Sequence, residues 1–208
     1  MDWVEFWESV WSTAKALQWF EVVAFATGLM SVWYERKNHI AVYPLGLISV
    51  GIFVYMGYTS ALYAEMGINA YYVMMSVYGW YMWTRRDSNH AVLPITFNDF
   101  KENLISISFA LLSFIALGFF LDHFTDTNVP WWDASSTAPA FVAMWLVAKR
   151  KVENWHFWIL ANLLAIPLYF YKGWYLSSLL YFFYLLLAIW GYFSWKKKAQ
   201  EACQKLTV

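Results

Sequence analysis

The chain is written as seven apolar stretches separated by short polar joints, and the joints collect nearly all of its Lys and Arg. The stretches run about Leu17–Tyr34, His39–Tyr58, Ala61–Trp83, Asn103–Leu121, Trp131–Ala148, Asn154–Tyr171 and Trp174–Trp195. A run of about 20 apolar residues matches a hydrocarbon core of about 30 Å when coiled as a helix. Backbone groups in lipid must be satisfied within the segment, so each stretch is expected to be a transmembrane α-helix. Pro44, Gly46 and Gly51 inside the second are tolerable because neighbouring helices re-satisfy a freed carbonyl. Only 13% of the residues are charged, where a soluble domain carries about a quarter. The expected class is therefore an all-α integral membrane protein.

Charge placement gives an orientation. The joints after spans one, three and five, with the C-terminal tail, hold Arg36, Lys37, Arg85, Arg86, Lys101, Lys149, Arg150, Lys151, Lys196, Lys197, Lys198 and Lys205. The opposite side holds only Lys15 and Lys172 of the 14 basic residues. The positive-inside rule then puts the N-terminus outside and the C-terminus in the cytoplasm. Basic and acidic residues are both 14, so no surplus points to nucleic acid. Asp2, Glu5 and Glu8 stand where a cleavable signal would be basic. Trp3, Phe6, Trp7, Val10 and Trp11 share one face of an amphipathic lead expected to lie at the membrane surface.

The chain repeats itself. Gly79-Trp80-Tyr81-Met82-Trp83 before Thr84-Arg85-Arg86 matches Gly191-Tyr192-Phe193-Ser194-Trp195 before Lys196-Lys197-Lys198. Tyr55-Met56-Gly57 matches Tyr171-Lys172-Gly173, and Glu21 matches Asp133. Spans one to three thus recur as spans five to seven, with span four between them. The expected divisions are an interfacial lead (1–16), a three-helix repeat (17–86), a linker with the central helix (87–125), a second three-helix repeat (126–198) and a tail (199–208). One linking helix gives both repeats the same orientation, a 3+1+3 parallel design found in transporters.

Polar groups deep in hydrocarbon are costly unless paired or lining a wet path. Trp155, Trp158 and Asn162 stand at i, i+3 and i+7 and share a helix face. Two indoles can grip a flat or cationic ring, and an amide deeper in the helix can bond its substituent. Anchoring of the two tryptophans at the interface is the competing reading. Asn69 and Ser76 share a face of span three, with Tyr63, Tyr71 and Tyr72 as further ring walls. Ser177, Ser178, Tyr181 and Tyr184 lie on span seven. Either a few of these are interhelical glue, or they line a path for a small, flat, hydrogen-bonding molecule.

Absences narrow the chemistry. No Lys lies inside a span to carry a retinal Schiff base. Glu21, Glu65 and Asp133 fall near outer ends, so no deep carboxylate relay suggests proton pumping. His39, His90, His123 and His156 lack metal-ligand spacing, and the single Cys203 builds no metal site or disulfide. No metal, cofactor or catalytic group is expected. Facilitated diffusion by alternating access is the simplest mechanism. A seven-helix receptor that binds a ligand without moving it is the alternative from another class.

Tyr78-Gly79-Trp80-Tyr81-Met82-Trp83, Lys151-Val152-Glu153-Asn154-Trp155-His156-Phe157-Trp158 with Asn162, Trp131-Trp132-Asp133, and Tyr171-Lys172-Gly173-Trp174-Tyr175 carry a resemblance. The chain resembles the PnuC family of bacterial vitamin transporters over about residues 17–198. The family's W-x-x-W motif falls on Trp155 and Trp158. The resemblance implies a fold related to the SWEET sugar transporters, a homotrimer, and location in the bacterial inner membrane. It implies import of nicotinamide riboside, a precursor of NAD, which a cytoplasmic kinase traps by phosphorylation. It also implies Trp155, Trp158, Asn162, Asn69, Ser76, Tyr72, Ser178 and Tyr181 as substrate-binding candidates. Asn69 replaces an expected Gln, and Trp190 stands where riboside carriers show Asn. Relatives that carry thiamine or riboflavin therefore remain alternatives.

Overall fold

The protein is described from a computed structural model, over residues 3–60, 62–85 and 93–206. Arg86, His90 and the start of the linker lie outside the described residues, as does the Lys205 side chain. Eight helices follow in order: α1 (Trp3–Ala16), α2 (Trp19–Lys37), α3 (Val42–Thr59), α4 (Tyr63–Thr84), α5 (Phe100–Phe124), α6 (Pro130–Ala148), α7 (Asn154–Tyr171) and α8 (Tyr175–Leu206).

Local chemistry sets these ends. The Gln18 N–H donates to the Glu21 carboxylate at 2.6 Å, closing the start of α2. Asp99 and Glu102 form a reciprocal box at the start of α5, with bonds of 2.7 and 2.9 Å. Pro130 opens α6, where its missing N–H costs nothing. Gly173, with φ of 75°, makes the left-handed turn between α7 and α8. α8 runs on through Lys196, Lys197 and Lys198 to Leu206, because lysine is a good helix former and the basic run marks only a change of solvent.

α2, α3 and α4 pack in sequence, as do α6, α7 and α8. The two sets meet where α2 touches α8 and α4 touches α6, and α5 lies against α6. α1 turns through 111° from α2. Its Phe6 stacks on Phe170 at 6.2 Å and meets Tyr175 edge-on, while Trp3, Trp7 and Trp11 stay exposed. Three helices, α3, α5 and α8, are long and apolar enough to cross a membrane by composition alone, and the bent α1–α2 pair would make a fourth. α4, α6 and α7 have the length but are diluted by polar atoms: five Tyr in α4, Asp133 and three hydroxyls in α6, two Asn and His156 in α7.

The largest buried cluster sits at one end of the bundle. It joins the end of α2, the start of α3, the ends of α4 and α6, the start of α7 and the late part of α8. Two indoles cross between the three-helix sets there. Trp83 on α4 donates to the Val147 carbonyl of α6 at 3.0 Å, and Trp195 on α8 donates to the Glu35 carbonyl of α2 at 2.9 Å. Gly79 lies against the Tyr43 ring and Gly191 against the Trp155 ring, where neither leaves space for a Cβ. Asn38 and Arg150 both take left-handed backbone, at φ of 58° and 53°. In each of these correspondences the two positions are 112 residues apart.

The polar linker contributes more than spacing. Thr96 pairs with Lys151 in an isolated bridge, its N–H donating to the Arg150 carbonyl and its carbonyl accepting from Val152. Asn98 N–H donates to Glu153 at 2.9 Å, and Ile95 is buried in the end cluster. This strap ties the chain before α5 to the joint between α6 and α7. Trp83→Phe or Trp195→Phe keeps an aromatic ring but removes one of the hydrogen bonds its carbonyl accepts, the other coming from the Arg150 or Asn38 N–H, so each should cost about 0.5–1.5 kcal/mol of stability. Thermal unfolding in detergent checks it, and an unchanged Tm in both variants would contradict the latch.

Candidate functional site

α7 brings the sequence candidates to one end of the bundle. Trp155 is fully buried, packed on Gly191 and edge-on to Trp195 with centroids 5.7 Å apart. Trp158, a turn further, is half-buried against the same cluster. Both indole N–H groups are buried without an acceptor. Asn162 is only 4% exposed, and its amide makes no hydrogen bond to another described residue.

A tyrosine group adjoins. Tyr181 stacks on Tyr169 at 4.9 Å, and Tyr184 lies edge-on to it at 6.1 Å. Tyr72, from the other three-helix set, meets Phe141 edge-on at 5.9 Å. Tyr184 and Ser49 converge on Gly28, where a Cβ would sit 2.7 Å from the Tyr184 hydroxyl. Ser76 is buried with its hydroxyl turned toward Gly46. Two candidates are occupied locally. Asn69 donates to its own helix at the Glu65 carbonyl (2.8 Å), and Ser178 donates to the Ile166 carbonyl of α7 (2.9 Å). The Ser178 bond is interhelical glue in this state.

Asp133, read as an entry position, is held by Lys172 at 2.5 Å and Thr127 at 2.6 Å, which pins the start of α6 to the α7–α8 turn. No group of His, Cys, Asp and Glu among the described residues could hold a metal ion. Two shallow concavities lie elsewhere. One is bounded by Leu29, Phe183 and Trp190, the other by Trp3, Trp7 and Trp11 of α1. Their open, apolar rims suit acyl chains, and the indole pair with Asn162 has the polar chemistry a ring substrate needs.

Glu35 is the residue that sequence reasoning passed over. It is 4% exposed, with a carboxylate oxygen that finds no partner, and it lies beside Trp158. Within Tyr34-Glu35-Arg36-Lys37 it reads as the polar end of a span. One signal was present: a carboxylate in the last turn of a helix opposes the macrodipole, so it is an unfavourable choice there unless something else requires it.

A family model described as nicotinamide mononucleotide transporter matches residues 18–197. The chain belongs to this transporter family. It is 28% identical to the nicotinamide riboside transporter PnuC of Escherichia coli strain K12, covering 89% of this chain and 88% of that one. Against the protein of the same name from Neisseria mucosa the identity is 30%, over 86% of this chain and 72% of the relative. The riboflavin/roseoflavin transporter RibM of Streptomyces davaonensis is 26% identical, over 85% and 84%. A crystal structure of the vitamin B3 transporter PnuC superposes with a TM-score of 0.72 at 26% identity, covering 95% of this chain and 91% of that one. The protein is accordingly a multi-pass membrane transporter.

Packing separates the two tryptophans. Trp155→Ala empties a filled core and should cost about 3–5 kcal/mol. Gly191→Ala drives a methyl into the same ring and should cost about 1–3 kcal/mol. Gly51→Ala, with open space around it, should be neutral or slightly stabilising. Scanning fluorimetry ranks the three, and equal behaviour of Gly191→Ala and Gly51→Ala would contradict the packing.

Proposed function

We propose that the protein is a seven-span homotrimeric carrier that imports nicotinamide riboside by facilitated diffusion, for trapping by a cytoplasmic kinase. The observation that carries this reading is the Trp155–Trp158–Asn162 face, with two buried indole donors that find no acceptor and a buried amide one turn beyond Trp158. A pyridinium ring suits the indole faces, and ribose and carboxamide groups suit the amide and the tyrosines. Relatives named as nicotinamide riboside transporters support the substrate, and a vitamin B3 transporter structure supports the fold.

The 3+1+3 parallel design, related to the SWEET transporters, draws support from the correspondences at 112 residues. Tyr43 and Trp155 pack alike, Trp83 and Trp195 donate alike, and Asn38 and Arg150 turn alike. On this design the two repeats are α2–α4 (within 17–86) and α6–α8 (within 126–198), with α5 the linking helix. The Lys and Arg distribution supports a cytoplasmic location for the indole-latched end, and hence an outside N-terminus. Release inward then requires the Trp83 and Trp195 latches to open. Trp158 and Asn162, with Tyr72 and Tyr181, are the side chains that hold the ring; Trp155 backs Trp158. Asn69, Ser76 and Ser178 join the path when their present bonds or packing change.

Riboflavin is the second substrate reading, favoured by the likeness to a riboflavin transporter and by Trp190 in place of a polar residue. Thiamine is the third, since it too is a cationic ring. Uptake of labelled nicotinamide riboside into proteoliposomes, competed by each vitamin, tests the choice. Competition by nicotinamide riboside alone is expected. Binding without flux would leave a receptor. Trp158→Ala should weaken half-maximal uptake about 3- to 30-fold, the loss of one cation–π contact, with an unchanged Tm. Asn162→Leu should weaken it by about 1–3 kcal/mol, and unchanged affinity would remove the amide from the site.

A further inference from the structure

Glu35 holds its place in the fold through its backbone alone. Its carbonyl accepts from Trp195 and from Asn38 N–H. The position 112 residues later is Val147, whose carbonyl accepts the matching bond from Trp83. The same packing therefore accepts an aliphatic side chain, and the carboxylate is surplus to it. It is also unfavourable twice over, being buried and at the negative end of a helix dipole.

Nothing nearby neutralises it. Glu35 belongs to no ion pair among the described residues. Its basic neighbours stack on indoles instead of pairing with it, and Arg36 and Arg150 each keep a buried Nε without an acceptor. Arg36 lies over Trp190 at 3.6 Å and over Trp33 at 4.4 Å, and Lys37 lies over Trp33 at 5.2 Å. Arg150 lies over Trp83 at 4.2 Å and donates to the Leu93 carbonyl. The indole N–H of Trp158 is within electrostatic reach of the carboxylate, yet neither it nor Oε1 completes a hydrogen bond of good geometry. The Tyr43 hydroxyl is buried and unpartnered in the same region.

An indole ring that reaches a buried acidic group through its N–H edge, with no cation paired to that group, combines the two features that recognise a quaternary aromatic nitrogen. We propose that Glu35 is the counter-ion for a cationic ring substrate, meeting it as it passes the Trp158 indole toward the basic end of the bundle. This rests on the carrier reading above and extends it from shape to charge. A neutral ring of equal size gains nothing from Glu35, so the residue selects nicotinamide riboside or thiamine over riboflavin. Val147 gives the other repeat no such group, which makes the two sides of the path unequal for a cation.

The test is uptake into proteoliposomes of two cations, nicotinamide riboside and thiamine, and two neutral compounds, reduced (dihydro) nicotinamide riboside and riboflavin. The wild type should prefer a cation to its neutral counterpart. Glu35→Gln should raise the half-maximal concentration for that cation about tenfold or more, the loss of a charged contact. It should leave residual uptake of the neutral counterpart within about twofold on the same scale. Glu35→Asp, which keeps the charge, should retain the preference. Equal loss for cation and neutral compound in Glu35→Gln would mean a structural role and overturn the proposal, as would a Glu35→Asp protein without preference. A wild type that carries thiamine and not nicotinamide riboside would overturn the substrate reading and leave Glu35 standing. A wild type that carries only riboflavin would overturn the Glu35 assignment.

Discussion

Two indole N–H groups bridge the halves of this molecule, and much of its architecture serves to place them. Trp83 and Trp195 each reach a helix-terminal carbonyl on the opposite three-helix set. A helix leaves its last carbonyls without intrahelical partners, and here each indole adds a second donor to a carbonyl that a turn N–H, of Asn38 or Arg150, already reaches. Gly79 and Gly191, a turn before each indole, let a ring from the neighbouring helix close in, and the left-handed residues at 38 and 150 turn the chain immediately after each acceptor. Satisfying helix ends with side-chain donors from the other half makes the contact specific without making it large.

That economy suits a carrier. An interface of single hydrogen bonds, from Trp83, Trp195, Tyr71, Ser194 and Lys198, and a few stacked rings can open at modest cost, whereas a continuous apolar seam would not. The strap at Thr96–Asn98 and the Lys151–Glu102 pair (2.7 Å) fix α5 and the α6–α7 joint to each other rather than to the first three-helix set. On the carrier reading proposed above, the second set would move with its linker as one body, and the indole contacts would form the surface across which it rotates.

The helices were legible in the sequence because lipid forces long apolar runs, and α7 spans the expected Asn154–Tyr171. Its indole–amide face was legible from i, i+3, i+7 spacing. Other features depend on tertiary contacts that no local pattern carries. The strap is a short segment, Thr96–Asn98, whose pairing partner is some 55 residues away. Asn69 and Ser178 look like pathway residues because polarity is visible in a sequence, while the carbonyls that accept from them are not. Glu35 was hidden by its neighbours, since a carboxylate beside Arg36 and Lys37 reads as solvated until those cations are found stacked on indoles.

The most direct test of this account is the distance across the latched end. Spin labels at Lys37 on α2 and Lys196 on α8, in a Cys203→Ser background, report it by pulsed electron resonance in lipid nanodiscs. Added nicotinamide riboside should create a second, longer distance population, and Trp195→Phe should enlarge it. A single distance, the same with and without substrate and in both proteins, would contradict an indole-latched gate.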